Sequence, residues 1–465
     1  MTGRAGGRRL AASVCCVALV ALAASDCAAS GGAPAHSAAV PSASDGEPGQ
    51  WITYNGGNER QGTATSETAA SSTPSPSPSS PLAIAWHAKL DGAVYGQPLL
   101  VGDRILAATE NDSVYALDES DGRVLWHTRI GSPQPLSGLP CGDIDPLGIT
   151  STMAYDPATG SLFTLAETDG GQHTLVAIDP STGGVRWRRS VEPPSGVPMD
   201  TQQRAALTVA FGRVYVPFGG LDGDCGKYIG SVVGTPASGQ GAQVHYAVPT
   251  SLRGAIWAPG GLLTVGGTLY AAAGNGASTT GFDGSDSVIA LGPDLARLGF
   301  FAPATWAQDN ADDLDLGSMT PALVGDRILA LGKRGTAYLL AADRLGGVGG
   351  QIAQSRVCPA FGAAAVRGST AYVACPDGIR AIDTAGDRIS VSWRSAARAN
   401  GSPTLSGGDV WAVAWPAGTL YRFAASTGAV TGLIALGTVP HFASATLADG
   451  RAFVGTINGV TAIDR

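Results

Sequence analysis

Tyr115-Ala116-Leu117-Asp118, followed at steps of four by Gly122 and Trp126, is the phrase that decides the fold. Val176-Ala177-Ile178-Asp179 repeats it, with Gly183 and Trp187 at the same offsets. Alternating apolar residues make a strand, Asp and Gly make a tight turn, and Trp anchors the strand that returns. Six weaker copies keep this frame: Val232-Val233, Ile289-Ala290-Leu291 with Phe300 in the Trp place, Leu340-Ala341-Ala342-Asp343 with Gly347, Ala381-Ile382-Asp383, Phe423-Ala424 and Ala462-Ile463-Asp464.

The spacing between copies shrinks from roughly sixty residues to about forty, the length of a four-stranded propeller blade with insertions in the early blades. Asp464 of the eighth copy is followed only by Arg465, so the last blade is expected to lack its Trp-bearing strand. Leu82-Ala83-Ile84-Ala85-Trp86-His87 reads as that missing strand. The expectation is therefore an all-β chain over residues 81–465: an eight-bladed β-propeller of four-stranded antiparallel blades, its ring closed by an N-terminal strand. Closure removes exposed sheet edges, and each blade buries its faces on its neighbours.

Upstream, Arg4, Arg8 and Arg9 precede an apolar run from Leu10 to Ala24, the pattern of a signal peptide over residues 1–27. Export to the cell surface or beyond is expected, with Cys27 a candidate for lipid anchoring and no transmembrane span once the signal is removed. Residues 28–80 are rich in Ser, Ala and Pro, a composition that buries too little apolar surface to fold, and read as a linker. The aromatic island Trp51-Ile52-Thr53-Tyr54 interrupts it and reads as an ordered arm near 51–62 lying against the propeller.

A formal net charge of −8 argues against nucleic acid and anionic membranes as partners, since an acidic surface offers them no counter-charge. A monomer is expected. Lys89, Lys227 and Lys333 are the only lysines. Beyond residue 27 stand Cys141, Cys225, Cys358 and Cys375; an exported chain invites disulfides, and of the three possible pairings Cys141 with Cys225 and Cys358 with Cys375 are expected. The segments around 131–148 and 219–230 read as insertions over one end of the propeller, the usual place for a binding face.

The repeat Asp118-x-x-x-Gly122-x-x-x-Trp126 and its copy at Asp179 resemble the pyrroloquinoline quinone (PQQ) repeat family across most of residues 82–465. That family holds quinoprotein alcohol dehydrogenases, with PQQ and calcium on the propeller axis, and BamB-type propellers that bind proteins. The resemblance implies roles for particular residues here. Trp257, in Gly254-Ala255-Ile256-Trp257, stands where the dehydrogenases place the aromatic floor under the quinone, and Asn275, in Ala273-Gly274-Asn275-Gly276, where they place a calcium ligand. Asp313 and Asp315, in Asp312-Asp313-Leu314-Asp315, match the catalytic carboxylate segment, Asp313 also being a metal candidate. Lys333, in Lys333-Arg334-Gly335, matches the basic residue that contacts the quinone. The family's calcium-binding Glu is replaced by the shorter Asp222 or Asp224, with Asp224 taken as the metal candidate, and the adjacent cysteine pair of the dehydrogenases is missing from the chain beyond the expected signal peptide, where Cys15-Cys16 would be lost.

A quinone needs an aromatic plane, a cation that polarises it and a carboxylate that takes a proton, which is why these residue types belong together. Each also has a plainer reading: blades need packing aromatics, Asn between glycines suits a left-handed turn, and acidic runs are commonly solvated loops. No Gly-x-Ser-x-Gly elbow, His-Glu-x-x-His or phosphate loop occurs, which disfavours hydrolase and nucleotide chemistry. The sequence thus points to an exported binding or scaffold propeller that holds a protein or small ligand on its insertion-bearing face. The alternative is a PQQ- and calcium-dependent dehydrogenase of an alcohol or sugar.

Overall fold

A computed structural model describes residues 49–64, 81–448 and 450–465. The expected signal segment, Cys27 and most of the expected linker lie outside the described residues. Eight sheets follow one another along the chain: blades 1 (99–129), 2 (154–190), 3 (201–247), 4 (263–302), 5 (322–356), 6 (365–394), 7 (404–435) and 8 (445–464). The eighth sheet takes its outermost strand from Ala83–Lys89, antiparallel to Gly459–Asp464, as the orphan N-terminal strand requires. Two sheets exceed four strands. The inner strand of blade 3 is split into Thr201–Gln202 and Thr208–Ala210, and blade 4 gains Gly347–Val348, paired in parallel with Arg297–Ala302. That segment follows the fifth repeat in sequence yet joins the fourth sheet. Among the described residues Trp306–Asp312 is the only α-helix.

Burial follows position within a blade. The second and third strands of blade 1, Arg104–Thr109 and Ser113–Asp118, are buried almost throughout because neighbouring blades cover both their faces. The outer strand Val124–Arg129 is half-exposed and alternates.

The repeated Trp and Gly meet between blades. Trp126 of blade 1 donates its indole N–H to the Pro180 carbonyl (3.0 Å), and a Cβ on Gly183 would sit 2.6 Å from the same ring. Trp86 does likewise to Glu119 (3.1 Å) and Gly122, so the contact that joins blade 1 to blade 2 also joins blade 8 to blade 1. Trp393 repeats it with Ala425 and Gly428. Asp-x-x-x-Gly-x-x-x-Trp is therefore an interface code: Asp caps the turn, Gly admits the preceding Trp, and Trp reaches the following blade. Both expected disulfides are present, Cys141–Cys225 and Cys358–Cys375.

The arm is ordered and lies within the ring of inner strands. Trp51 pairs with Leu100 of blade 1, Ile52 accepts from Tyr155 of blade 2, and Thr53 donates to Leu207 at blade 3. Asn58 accepts from Thr264 of blade 4, Gln61 donates to Leu323 of blade 5 and accepts from Val366 of blade 6, and Gly62 accepts from Leu405 of blade 7. Gln97, which accepts from the Asn55 N–H, donates on to Ala445 of blade 8. At the hub, the buried Arg60 guanidinium donates to Leu262, Thr53, Tyr54, Gly57, Leu207 and Thr208. An aromatic island in a polar linker has been drawn in because the inner strands present backbone groups that need partners.

Candidate functional site

Where the chain enters the inner strands and turns from second to third strands lies a cavity of about 400 Å³. That volume suits a small organic ligand. Trp257 enters from the approach to blade 4, Phe361 from that to blade 6, and His441 and Phe442 from that to blade 8. Their rings form a continuous wall: Trp257 to Phe442 6.1 Å, Phe361 to Phe442 6.3 Å, and His441 stacked between Phe442 (3.8 Å) and Trp415 (4.1 Å). Burial and the nearby Arg204 hold the His441 imidazole down at about 4, so it is neutral at physiological pH. The insertions supply the rim through Asp143, Ile144 and the stretch Gly220–Asp224, tied together by Cys141–Cys225.

Opposite the aromatic wall stand the carboxylates and lysine singled out in the sequence. The Lys333 ammonium lies 2.8 Å from Asp315 Oδ2 and 3.0 Å from Asp313 Oδ1, with the Trp257 ring centroid 5.9 Å away. Asp315 is almost fully buried, and its other oxygen accepts the Asn275 backbone N–H at 2.6 Å. Gly274 must be glycine here: a Cβ would stand 2.7 Å from Asp315 Oδ1. Asn275 is pinned on its other side too, its carbonyl accepting from Gly254 N. Asp224 receives the Tyr228 hydroxyl at 2.6 Å, and burial, with Asp315 and Asp313 nearby, raises its pKa. Asp313 caps the Trp306–Asp312 helix in a left-handed conformation and is largely exposed.

Trp257, Asp224, Asp313, Asp315 and Lys333 thus line one cavity, with Asn275 directly behind Asp315. Both oxygens of Asp315 and one each of Asp224 and Asp313, however, are already engaged by protein donors, and among the described residues no three His, Cys, Asp or Glu side chains are grouped to hold a metal ion. An oxygen-only donor set is right for calcium, but calcium takes six to eight oxygens, and these residues do not form such a cage. The aromatic wall and the cations fit a planar quinone; the carboxylates as arranged do not fit calcium.

Two participants escaped the sequence reading. Arg204 lies over Tyr95 (5.4 Å) and Phe442 (5.0 Å) and donates to the His441 carbonyl at 3.0 Å. Asp286 is fully buried beside Asp315, accepts from Leu316 N at 2.9 Å, and is raised well above the usual carboxylate range by burial and by Asp315. Neither residue carries a spacing signal, because Arg204 sits between repeats and Asp286 opens an ordinary third strand.

The family model described as outer membrane protein assembly factor BamB matches residues 83–266 and 162–431. Polyvinylalcohol dehydrogenase of Sphingopyxis sp. (strain 113P3) is 26% identical over 246 residues, 47% of this chain and 34% of that protein. The chain therefore spans about a third of the length of the curated dehydrogenases it matches. BamB of Nitrosomonas eutropha is 26% identical over 112 residues, 24% of each chain. Among solved structures, quinohemoprotein alcohol dehydrogenase from Comamonas testosteroni superposes with a TM-score of 0.68 at 16% identity, covering 90% of this chain and 81% of the other. BamB from Moraxella catarrhalis gives 0.57 at 15%, covering 82% and 99%.

Proposed function

We propose, from the premise that this chain belongs to the PQQ-repeat propeller family whose model is described as outer membrane protein assembly factor BamB, that it is an exported binding propeller holding a small planar ligand in its axial pocket. One observation carries this reading. Side chains from blades 3, 4 and 5 that are far apart in sequence line a single cavity walled by aromatic rings. Two disulfides support an oxidising, extracytoplasmic compartment, and among the described residues no helix is long and apolar enough to cross a membrane. The insertion-bearing rim is the face on which a protein partner would dock.

A quinone-dependent dehydrogenase is the second reading. It is favoured by Trp257 facing Lys333 and the Asp313–Asp315 pair, and by the likeness to polyvinylalcohol dehydrogenases. When bound, a quinone would supply the two-electron oxidant. The chain would supply the Trp257 ring beside it, the ammonium of Lys333 at its oxygens, and a carboxylate at Asp313 to receive a substrate proton.

Calorimetric titration of PQQ into the full chain, with and without calcium, tests ligand binding. Saturable one-to-one binding weakened about tenfold or more by Trp257→Ala supports the pocket as a quinone site. Absence of binding removes the dehydrogenase reading and turns the search to other planar ligands and to protein partners.

A further inference from the structure

We infer that the ammonium group of Lys333 is the resident cation of the axial pocket, standing where a divalent ion would otherwise be required. A ligand oxygen would then meet that ammonium, the contact that the resemblance already implies for this lysine. The ligand half of this assignment rests on the axial pocket being the binding site; the cation half does not.

Four observations converge. The first is chemical identity: the chain has three lysines against many arginines, and one lysine stands here. A lysine head is a compact point charge with three donors and can sit between two carboxylates as a metal ion does, whereas the planar arginine fork favours bidentate pairing with one. Second is placement. The Lys333 ammonium bridges Asp313 and Asp315 from one side of the cavity at 3.0 and 2.8 Å, and its own backbone N–H donates to the Asp315 carbonyl at 2.8 Å. Side chain and main chain of one residue thus grip one carboxylate residue.

Third, both oxygens of the central carboxylate and one oxygen of Asp224 are taken by protein donors. Asp315 has one oxygen on Asn275 N and the other on Lys333, while Asp224 is held by Tyr228. A divalent ion entering this space would displace an ammonium already partnered in a half-buried pocket, or else sit beside a like charge at short range, which is strongly unfavourable where water is scarce. Fourth, two carboxylates take two of the three ammonium N–H groups. With the Trp257 face 5.9 Å from the nitrogen, the remaining donor is available to an oxygen of a ligand lying along that ring. Such a charge-assisted hydrogen bond would polarise a ligand carbonyl in the manner of a Lewis acid.

The test uses the full chain and the cation alone, so its result does not depend on the ligand's identity. Terbium(III) luminescence, sensitised by protein tryptophan, and calcium calorimetry are measured on wild type, Lys333→Ala and Asp315→Asn. The expected result is no saturable ion binding that responds to Asp315→Asn in wild type, and a gained site in Lys333→Ala with affinity raised about tenfold or more, because the freed carboxylates then accept a cation. Lys333→Gln, which keeps the side-chain bulk, serves if the alanine chain does not fold. One ion bound stoichiometrically by wild type and lost in Asp315→Asn overturns the assignment. So does a folded Lys333→Ala or Lys333→Gln chain that gains no site. Failure of PQQ to bind, with these ion results as expected, would remove the quinone reading and leave Lys333 as the pocket's cation.

Discussion

Three carboxyl groups outside the pocket contribute to the chain's response to pH. Glu110, Asp112 and Glu167 are buried at blades 1 and 2, and burial raises them from 4.5, 3.8 and 4.5 to about 8, about 8 and about 7. Glu110 is held by Gly148 N (2.8 Å) and Thr150, and Glu167 by Gln203 N (2.5 Å), but both oxygens of Asp112 lack a hydrogen-bond partner. His173 lies between Glu167 and Glu192, and Arg204 and Arg129 are the cations near Glu110 and Asp112. Acids raised on folding bind more protons folded than unfolded. Their contribution to stability is complete below the unfolded values near 4 and is lost as pH rises through 7 and 8. Denaturant unfolding free energy is therefore expected to fall between about pH 5 and pH 8, and the fall should flatten in Glu110→Gln, Asp112→Asn, Glu167→Gln. An unchanged slope would mean that these groups ionise normally in the folded chain. Sequence reading passed over them because burial of an acid is a tertiary property; the clue available was an acid recurring near the second-to-third-strand turn, at Glu110, Glu167 and Asp222.

Among elements, the blade interface explains why two repeats read clearly and six read faintly. A blade needs its turn glycine where the neighbouring blade supplies a Trp. Trp187 against Gly239 shows the same close fit, whereas the fourth blade has Phe300 and the fifth has neither. Where the wedge is smaller, the letters relax and only the apolar alternation remains. The requirement can be measured. Gly122→Ala and Gly183→Ala would drive a Cβ to within 2.5 and 2.6 Å of Trp86 and Trp126, and both positions have positive φ. Each substitution should cost roughly 2–3 kcal/mol, combining overpacking with backbone strain. Gly102→Ala, also at positive φ but with nothing within 4 Å, should lose only about 1 kcal/mol. Equal losses at all three positions would show that conformation, and not the Trp, makes the glycine necessary. The short strand Gly347–Val348 had no such code, so its pairing with blade 4 could not be read from its letters.

For the whole molecule, the arm matters most. Residues 51–62 bind the inner strands of seven blades directly, so an element of a few turns coordinates a ring that would otherwise be held only by neighbour-to-neighbour contacts. Arg60→Ala removes six hydrogen bonds at its centre and takes from the Tyr54 carbonyl its side-chain donor. A loss of roughly 3 kcal/mol or more is expected, read as a lower denaturation midpoint, with faster amide exchange at inner-strand positions such as Leu207 and Leu405. A change within about 0.5 kcal/mol would show that the arm rests on the ring without bracing it.

The amino-acid sequence alone determined the number of blades, the strand that completes the last of them and the identities of five side chains that meet in the pocket, while which cysteines pair was one choice among three. It could do so because a repeated strand–turn–strand phrase is local, and a ring built from such phrases brings the same turn of every blade to the same end of the axis. Only the tertiary structure decided what those side chains do to one another. Whether Asp315 faces a metal or an ammonium, whether Arg204 enters the pocket, and whether an aromatic island stays in a linker or threads the ring depend on distances between residues far apart in the chain, and spacing along a sequence does not encode those distances.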